Sequence, residues 1–316
     1  MLPIVRPVVK AHVATPGCPL LPNVASEMVT VVESGKALPL RPREAAGAAH
    51  SHLDFDAAGL ARKKRSLRET IAVCIPARDE ETTIGEIVAS ISSELMTNVE
   101  LVDDLVVIDD ASSDATAATA RSRGARVLAG PGRGKGEAMA LAASIPADLV
   151  VFLDGDVTGF EPHFVTGLLG PILGNPLVQL VKGRYERPLA EQRAGGGRVT
   201  ELVAKPALAL FFPELSWLGQ PLAGETAVRS CHLRTLRPAA GYAVEIAWLI
   251  DTLSSSGAES IAEVDLGVRT HRNRPLEELV PQAAAVLGTI LDRAGVETRN
   301  AAPRDDAFPR GPGISL

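Results

Sequence analysis

The chain has 316 residues, 46% hydrophobic and 22% charged, with a formal net charge of -6; it can bury one large core, or a core with a smaller lobe. That acidic balance and an aromatic content of 3% argue against a dedicated nucleic-acid binder, which needs basic stripes or stacking platforms. Cys18, Cys74 and Cys231 are odd in number and far apart, so neither a disulfide framework nor a clustered zinc site is indicated, and a reducing cytoplasm fits.

Residues 1–50 mix Pro, Ala and short apolar runs without sustained periodicity and are expected to form a poorly ordered leader. Met1 to Pro7 lacks the charged start and continuous apolar stretch of a secretory signal. A short charged helix is expected over Ala57 to Arg68, its Arg62-Lys63-Lys64-Arg65 run lying in solvent. From Thr70 the pattern becomes alternating strand and helix. Ile71 to Ile75 reads as a buried strand that Pro76 ends, followed by a helix with Ile84, Ile87, Val88 and Ile91 on one stripe. Leu105 to Ile108 is the second strand, running into Asp109-Asp110, with Ser112, Ser113 and Asp114 as caps for the next helix. Arg126 to Leu128 is a third strand, Gly130 to Gly136 a glycine-rich loop before a helix over Glu137 to Ser144, and Leu149 to Leu153 a fourth strand, apolar on both faces. Such strands belong to an α/β fold with a mostly parallel, Rossmann-like sheet covered by helices on both sides. Residues 160 to 295 are expected to interleave helices with loops rich in Gly and Pro, and the tail from 296 to 316 to fray. Ala204 to Gly224 is broken by three prolines and a glutamate, so no membrane span is expected.

Asp154-Gly155-Asp156 follows the fourth strand directly. Acids two apart in extended geometry point the same way, and paired hard oxygens suit a magnesium or manganese ion that completes its shell with phosphate oxygens and water. Two solvated loop acids are the alternative; the position at a strand's carboxyl end, where open α/β sheets bind ligands, favours the metal. Pro76-Ala77-Arg78-Asp79-Glu80 and Asp109-Asp110 end two further strands beside the same crevice and could receive a base and ribose, or act only as turn and cap chemistry. The loop from Gly130 to Gly136 does not match a Walker or dinucleotide pattern, yet Lys135 could neutralise a phosphate. Gly197-Arg198-Val199-Thr200, preceded by two more glycines, opens a helix where amides, a guanidinium and a hydroxyl could converge on an anion; a hinge with a surface arginine is the alternative. His271 lies on the polar face of an alternating segment beside Arg269 and could be the second protein ligand of a metal. Tyr242 and Glu245, three apart at a helix start, could bind sugar hydroxyls, although a first-turn glutamate also satisfies the helix dipole.

Three stretches are specific: residues 195–204, Tyr242-Ala243-Val244-Glu245, and Leu266 to Leu276 containing Arg269, His271, Asn273 and Arg274. With the acid pair, they resemble the glucosyl-3-phosphoglycerate synthase family over about Asp54 to Gly295, a family of retaining glycosyltransferases with a GT-A-like fold. The resemblance implies that Pro76, Ala77, Arg78, Asp79, Glu80, Asp110 and Lys135 contact the nucleotide, with Asp154, Gly155, Arg269 and Arg274 also on the donor side. It implies that Asp156 and His271 hold Mg2+ or Mn2+, that Gly197, Arg198, Val199, Thr200 and Asn273 bind 3-phosphoglycerate, and that Tyr242 and Glu245 face the donor sugar. Asp156, Glu245 and Lys135 are the candidates for chemistry. The implied division is a nucleotide-sugar half over 51–159 and an acceptor half over 160–295 of one domain; the implied assembly is a cytoplasmic homodimer. The chain departs from the family pattern at Arg78, Asp79, Asp110 and Gly155, which leaves open UDP-glucose or, as in the related mannosyl enzyme, GDP-mannose. A polyprenyl-phosphate glycosyltransferase shares the first half of the pattern, but should carry a membrane anchor or amphipathic helix.

Overall fold

The computed structural model describes residues 47–186, 197–237, 239–269 and 276–297. Eight strands build one sheet: β1 (Ala48–Ser51), β2 (Ile71–Ala77), β3 (Asp104–Asp109), β4 (Arg126–Ala129), β5 (Leu149–Phe152), β6 (Leu180–Glu186), β7 (Thr226–Arg229) and β8 (Ile261–Val268), in the spatial order β1-β8-β6-β7-β5-β2-β3-β4. β7 alone runs against its neighbours, pairing antiparallel with both β5 and β6; the other pairings are parallel. The inner strands are buried on both faces, as their unbroken Val, Ile and Leu runs require.

Helices fill both sides of this sheet. α1 (Ala57–Leu67), α2 (Ile84–Ser90, continuing in π-helical turns to Asn98), α3 (Thr116–Ser122) and α5 (His163–Gly174) pack on the face that carries Ile71, Val73 and Ile75. α4 (Lys135–Leu141), α6 (Lys205–Phe211), α8 (Val244–Ser256) and α9 (Leu276–Arg293) cover the face of Ala72, Cys74, Val150 and Phe152, with α7 (Ser230–Leu233) at its edge. Chain order reverses direction between β2 and β5. The carboxyl ends of these two strands therefore open on a topological switch point, where an α/β sheet has room for a ligand.

Several expectations change. β2 runs through Pro76 to Ala77 instead of stopping before the proline. Its pairing with β5 ends at Cys74, and Pro76 turns its nitrogen to that vacated side, so the missing N–H costs no ladder bond. The sheet begins before residue 51, because Ala48–Ser51 adds an edge strand to β8. The segment after residue 160 supplies three strands as well as helices; β6 and β7 were concealed by Lys182, Gly183 and Thr226 within their apolar runs. Residues 1–46 and 298–316, which hold most of the expected leader and tail, lie outside the described residues.

Candidate active site

The loops after β2 and β3 are tied to each other before they meet any ligand. Asp79, at φ +57°, accepts hydrogen bonds from the Ser113 amide (2.7 Å) and hydroxyl (3.0 Å), while its own amide donates to Ser112 Oγ at 3.0 Å. The Glu80 amide donates to Thr116 Oγ1 at 2.8 Å. Thr83 Oγ1 then donates to the carbonyl of Gly155 at 2.6 Å, fastening the same loop to the acid pair. Arg78 and Asp79 are exposed, Pro76 and Glu80 half-buried, and Ala77 is buried, so this segment presents a surface at the crevice.

Asp110 organises the glycine-rich loop. It is 3% exposed, and its two carboxylate oxygens accept from the amides of Gly132 (2.7 Å) and Gly134 (2.8 Å). Those glycines have φ of +69° and +112°, conformations that side chains resist. The carboxylate thus folds the glycine-rich loop and delivers Lys135 at the first turn of α4.

Lys135 Nζ donates to Asp154 Oδ1 at 2.5 Å and approaches Glu245 Oε1 at 2.8 Å. Arg269 reaches the other oxygen of Asp154 (3.0 Å) and also Asp156 Oδ1 (2.7 Å), Glu225 Oε1 (2.6 Å) and the Tyr185 hydroxyl (2.8 Å). Its guanidinium carbon stands 5.1 Å from the Tyr185 ring centroid, a cation over an aromatic face. Burial alone would push the Asp154 carboxyl up, but Lys135 and Arg269 together hold it well below the usual carboxylate range. Burial likewise opposes the charge on Lys135, yet Asp154 and Glu245 outweigh it and raise its pKa. Arg269 is raised by Glu225, Tyr185, Asp154 and Asp156 against the same penalty. Glu225 is raised, burial prevailing over Arg269.

This arrangement separates the roles of the two acids. Asp154 spends both oxygens on protein cations, whereas Asp156 has a side chain 38% exposed and an Oδ2 that accepts no hydrogen bond from the described residues. A half-exposed carboxylate with one open oxygen fits a hard divalent cation that takes its remaining ligands from phosphate and water. Between the acids, a Cβ on Gly155 would stand 3.3 Å from Ala77 Cβ and 3.5 Å from Glu80 Cγ, so the backbone packs tightly under the first loop.

Other expected site residues are distributed as follows. Glu245 is buried at the start of α8 beside Lys135, while Tyr242 is 40% exposed, so the two do not share one environment. Arg198 is exposed and Gly197 half-buried, but the side chains of Val199 and Thr200 are buried, leaving Val199 only its backbone to offer. The Arg269 side chain is 2% exposed and faces protein acids, so its described contacts are with the acid pair and its neighbours. His271, Asn273 and Arg274 lie outside the described residues. Glu225 and Tyr185 went unnoticed in the sequence; the signals were an acid after Gly224 and a tyrosine in the strand pattern of β6, each weak alone.

The model for glycosyl transferase family 2 matches residues 72–204, from β2 through the acid pair to the helix after Arg198. Fold and site together are those of a GT-A-type glycosyltransferase. The glucosyl-3-phosphoglycerate synthase of Mycolicibacterium smegmatis is 43% identical over 267 residues, covering 78% of this chain and 87% of that protein. Its counterpart from Petrotoga mobilis is 40% identical over 247 residues, 74% of this chain and 76% of that one. The crystal structure of the Mycobacterium tuberculosis enzyme with Mn2+, UDP-glucose and phosphoglyceric acid matches with a TM-score of 0.73 at 42% identity, over 80% of this chain and 89% of that chain. That enzyme has also been crystallised with Mg2+ and UDP, and with Mn2+, UDP and glucosyl-3-phosphoglycerate. The present chain belongs to the glucosyl-3-phosphoglycerate synthase family.

Proposed function

We propose that the chain transfers the glucosyl group of UDP-glucose to the 2-hydroxyl of 3-phosphoglycerate with retention, using Mg2+ or Mn2+ at Asp156. The observation that carries this reading is the asymmetry of the acid pair: Lys135 and Arg269 saturate Asp154, and Asp156 keeps an oxygen free at the sheet's switch point. A divalent ion supplies charge stabilisation for a departing diphosphate, and Asp156 with His271 would hold it.

The protein groups divide the remaining work. The interlocked loops carrying Pro76 to Glu80 form the wall for the base and ribose, and Asp110 keeps the glycine-rich loop closed beside them. Lys135, held between Asp154 and Glu245, provides a fixed positive charge for the leaving diphosphate without reorganising at the moment of reaction. Glu245 is 4% exposed and already paired with Lys135, which suits an acceptor of sugar hydroxyl bonds better than a free nucleophile. Attack then comes from the acceptor hydroxyl on the face the diphosphate leaves, and a leaving-group oxygen takes the proton. Arg198, Thr200, the Gly197 and Val199 backbone, and Asn273 orient the phosphoglycerate for that attack.

The same reading has two copies associating in the cytoplasm. Leu202 and Leu210, 74% and 77% exposed, are apolar side chains available to a second copy, which supports the association. Among the described residues no helix is long and apolar enough to cross a membrane.

Incubation with 3-phosphoglycerate, Mg2+ or Mn2+ and a panel of UDP-, GDP- and ADP-sugars tests the assignment. A glucosylated phosphoglycerate formed from UDP-glucose is expected; GDP-mannose as the sole productive donor would reassign the sugar, and no product from any donor would reject the enzyme.

A further inference from the structure

Lys182, in the middle of β6, is the cation of this region with the least obvious reason to exist. Its side chain is 1% exposed, inside an apolar strand where a methionine would fit at lower desolvation cost. Nζ donates to the carbonyl of Ala223 and, at 3.0 Å, to Thr226 Oγ1. These contacts bracket Gly224 and Glu225, the two residues that meet the acid site. Gly224 lies against the Asp154 carboxylate, and Glu225 Oε1 accepts from Arg269, which in turn holds Asp154 and Asp156. The other oxygen of Glu225 is buried and has no hydrogen-bond partner among the described residues, so its charge depends on nearby cations. Glu263 Oε1 adds to the same segment by accepting from the amides of Gly219 and Gln220.

We propose that Lys182 is a positioning residue for the reaction: its buried ammonium clamps Ala223 and Thr226, and so sets Gly224 under Asp154 and Glu225 on Arg269. The inference rests on the function proposed above and assigns a role that the exposed site does not reveal. Charge supports the geometry. Around the site the described residues place four carboxylates, Asp154, Asp156, Glu225 and Glu245, against Lys135 and Arg269; Lys182 is the third cation. Burial pulls its pKa down to about 8, against the attraction of Glu245, Glu225 and Asp154 and with the repulsion of Lys135, so the charge persists at neutral pH.

Lys182→Met tests this. In the full chain, kcat with UDP-glucose and the affinity for Mn2+ with UDP, read by calorimetry, are each expected to fall about 10- to 100-fold, as when a metal ligand loses its support. KM for 3-phosphoglycerate, bound elsewhere, is expected to stay within about twofold, and the melting temperature to fall, since the Ala223 carbonyl and Thr226 lose their buried donor and the nearby carboxylates lose a cation. A purely structural lysine would move the melting temperature and leave Mn2+ affinity alone. Parental kcat and Mn2+ affinity in a folded Lys182→Met overturn the proposal. Should that variant fail to fold, Thr226→Val removes one half of the clamp, and a loss of about 3- to 10-fold in Mn2+ with UDP affinity is expected; parental affinity there overturns it equally. A parent that binds Mn2+ with UDP yet forms no product rejects the assigned reaction while the calorimetric comparison still decides the role of Lys182; a parent that binds neither rejects both.

Discussion

Gly224 lies so close beneath Asp154 that a Cβ at that position would stand 2.1 Å from Oδ1. The glycine is thus a steric requirement of the acid site: any side chain there pushes Asp154 away from Lys135 or Arg269. Gly224→Ala is expected to lower kcat by about 100-fold, on the scale of a misplacement of roughly 1 Å. Thermal or denaturant unfolding should show a loss of about 1–3 kcal/mol from overpacking. Steady-state kinetics beside a melting curve reads both.

Asp110→Ala leaves the amides of Gly132 and Gly134 without their acceptor. Each bond to a charged group contributes about 1.5–3 kcal/mol, and the loop has little else to hold two glycines at positive φ. The expected outcome is faster amide hydrogen exchange over residues 130–136 and a raised KM for the donor, with KM for the acceptor little changed.

Lys135→Met removes the cation shared by Asp154 and Glu245; Asp154 keeps Arg269, but the buried Glu245 loses its ion-pair partner. Removing one partner of a buried pair costs about 3–5 kcal/mol. Because the site loses the cation proposed to face the leaving diphosphate, kcat should fall by about 100-fold or more. Calorimetry with UDP should show weakened binding, and raised salt should not restore it.

His232, bonded through Nε2 to Thr252 Oγ1 at 2.8 Å, gives a pH-dependent stability. Burial, stronger than the attraction of Asp251, lowers its pKa from 6.5 to about 4. Above pH 6.5 neither the folded nor the unfolded chain protonates it, so its contribution is whole. Between 6.5 and about 4 only the unfolded chain takes up the proton and stability declines; below about 4 both hold it. The gap corresponds to about 3 kcal/mol. His232→Gln, which cannot titrate, should lose that part of the acid sensitivity when melting temperatures are compared across pH 4 to 7.

The first half of the fold was legible because β2, β3 and β5 are buried on both faces and run into recognisable turns, as in Leu105 to Asp110 and Leu149 to Asp156. The second half was harder to read because its strands carry the site's own charges. Lys182 interrupts β6, and Glu225 immediately precedes β7, so the apolar signal fails where function demands polar atoms. The acid pair could be found from its place at a strand end, but its division of labour could not, since it depends on Arg269 meeting Asp154 and Asp156 from 115 and 113 residues away. Likewise Asp110 could be placed at the crevice from its strand end, but only the folded loop reveals that backbone amides engage both its oxygens.

Asp156, not Asp154, offers the open carboxylate oxygen for the metal of the proposed glucosyl transfer. Mn2+ binding in the presence of UDP, measured by calorimetry on the parent and on Asp156→Ala together with product formation from UDP-glucose and 3-phosphoglycerate, tests it most directly. The expected result is that the parent binds Mn2+ and makes glucosyl-3-phosphoglycerate, while Asp156→Ala melts like the parent but loses both Mn2+ binding and product. Retained Mn2+ affinity and turnover in a folded Asp156→Ala would contradict it.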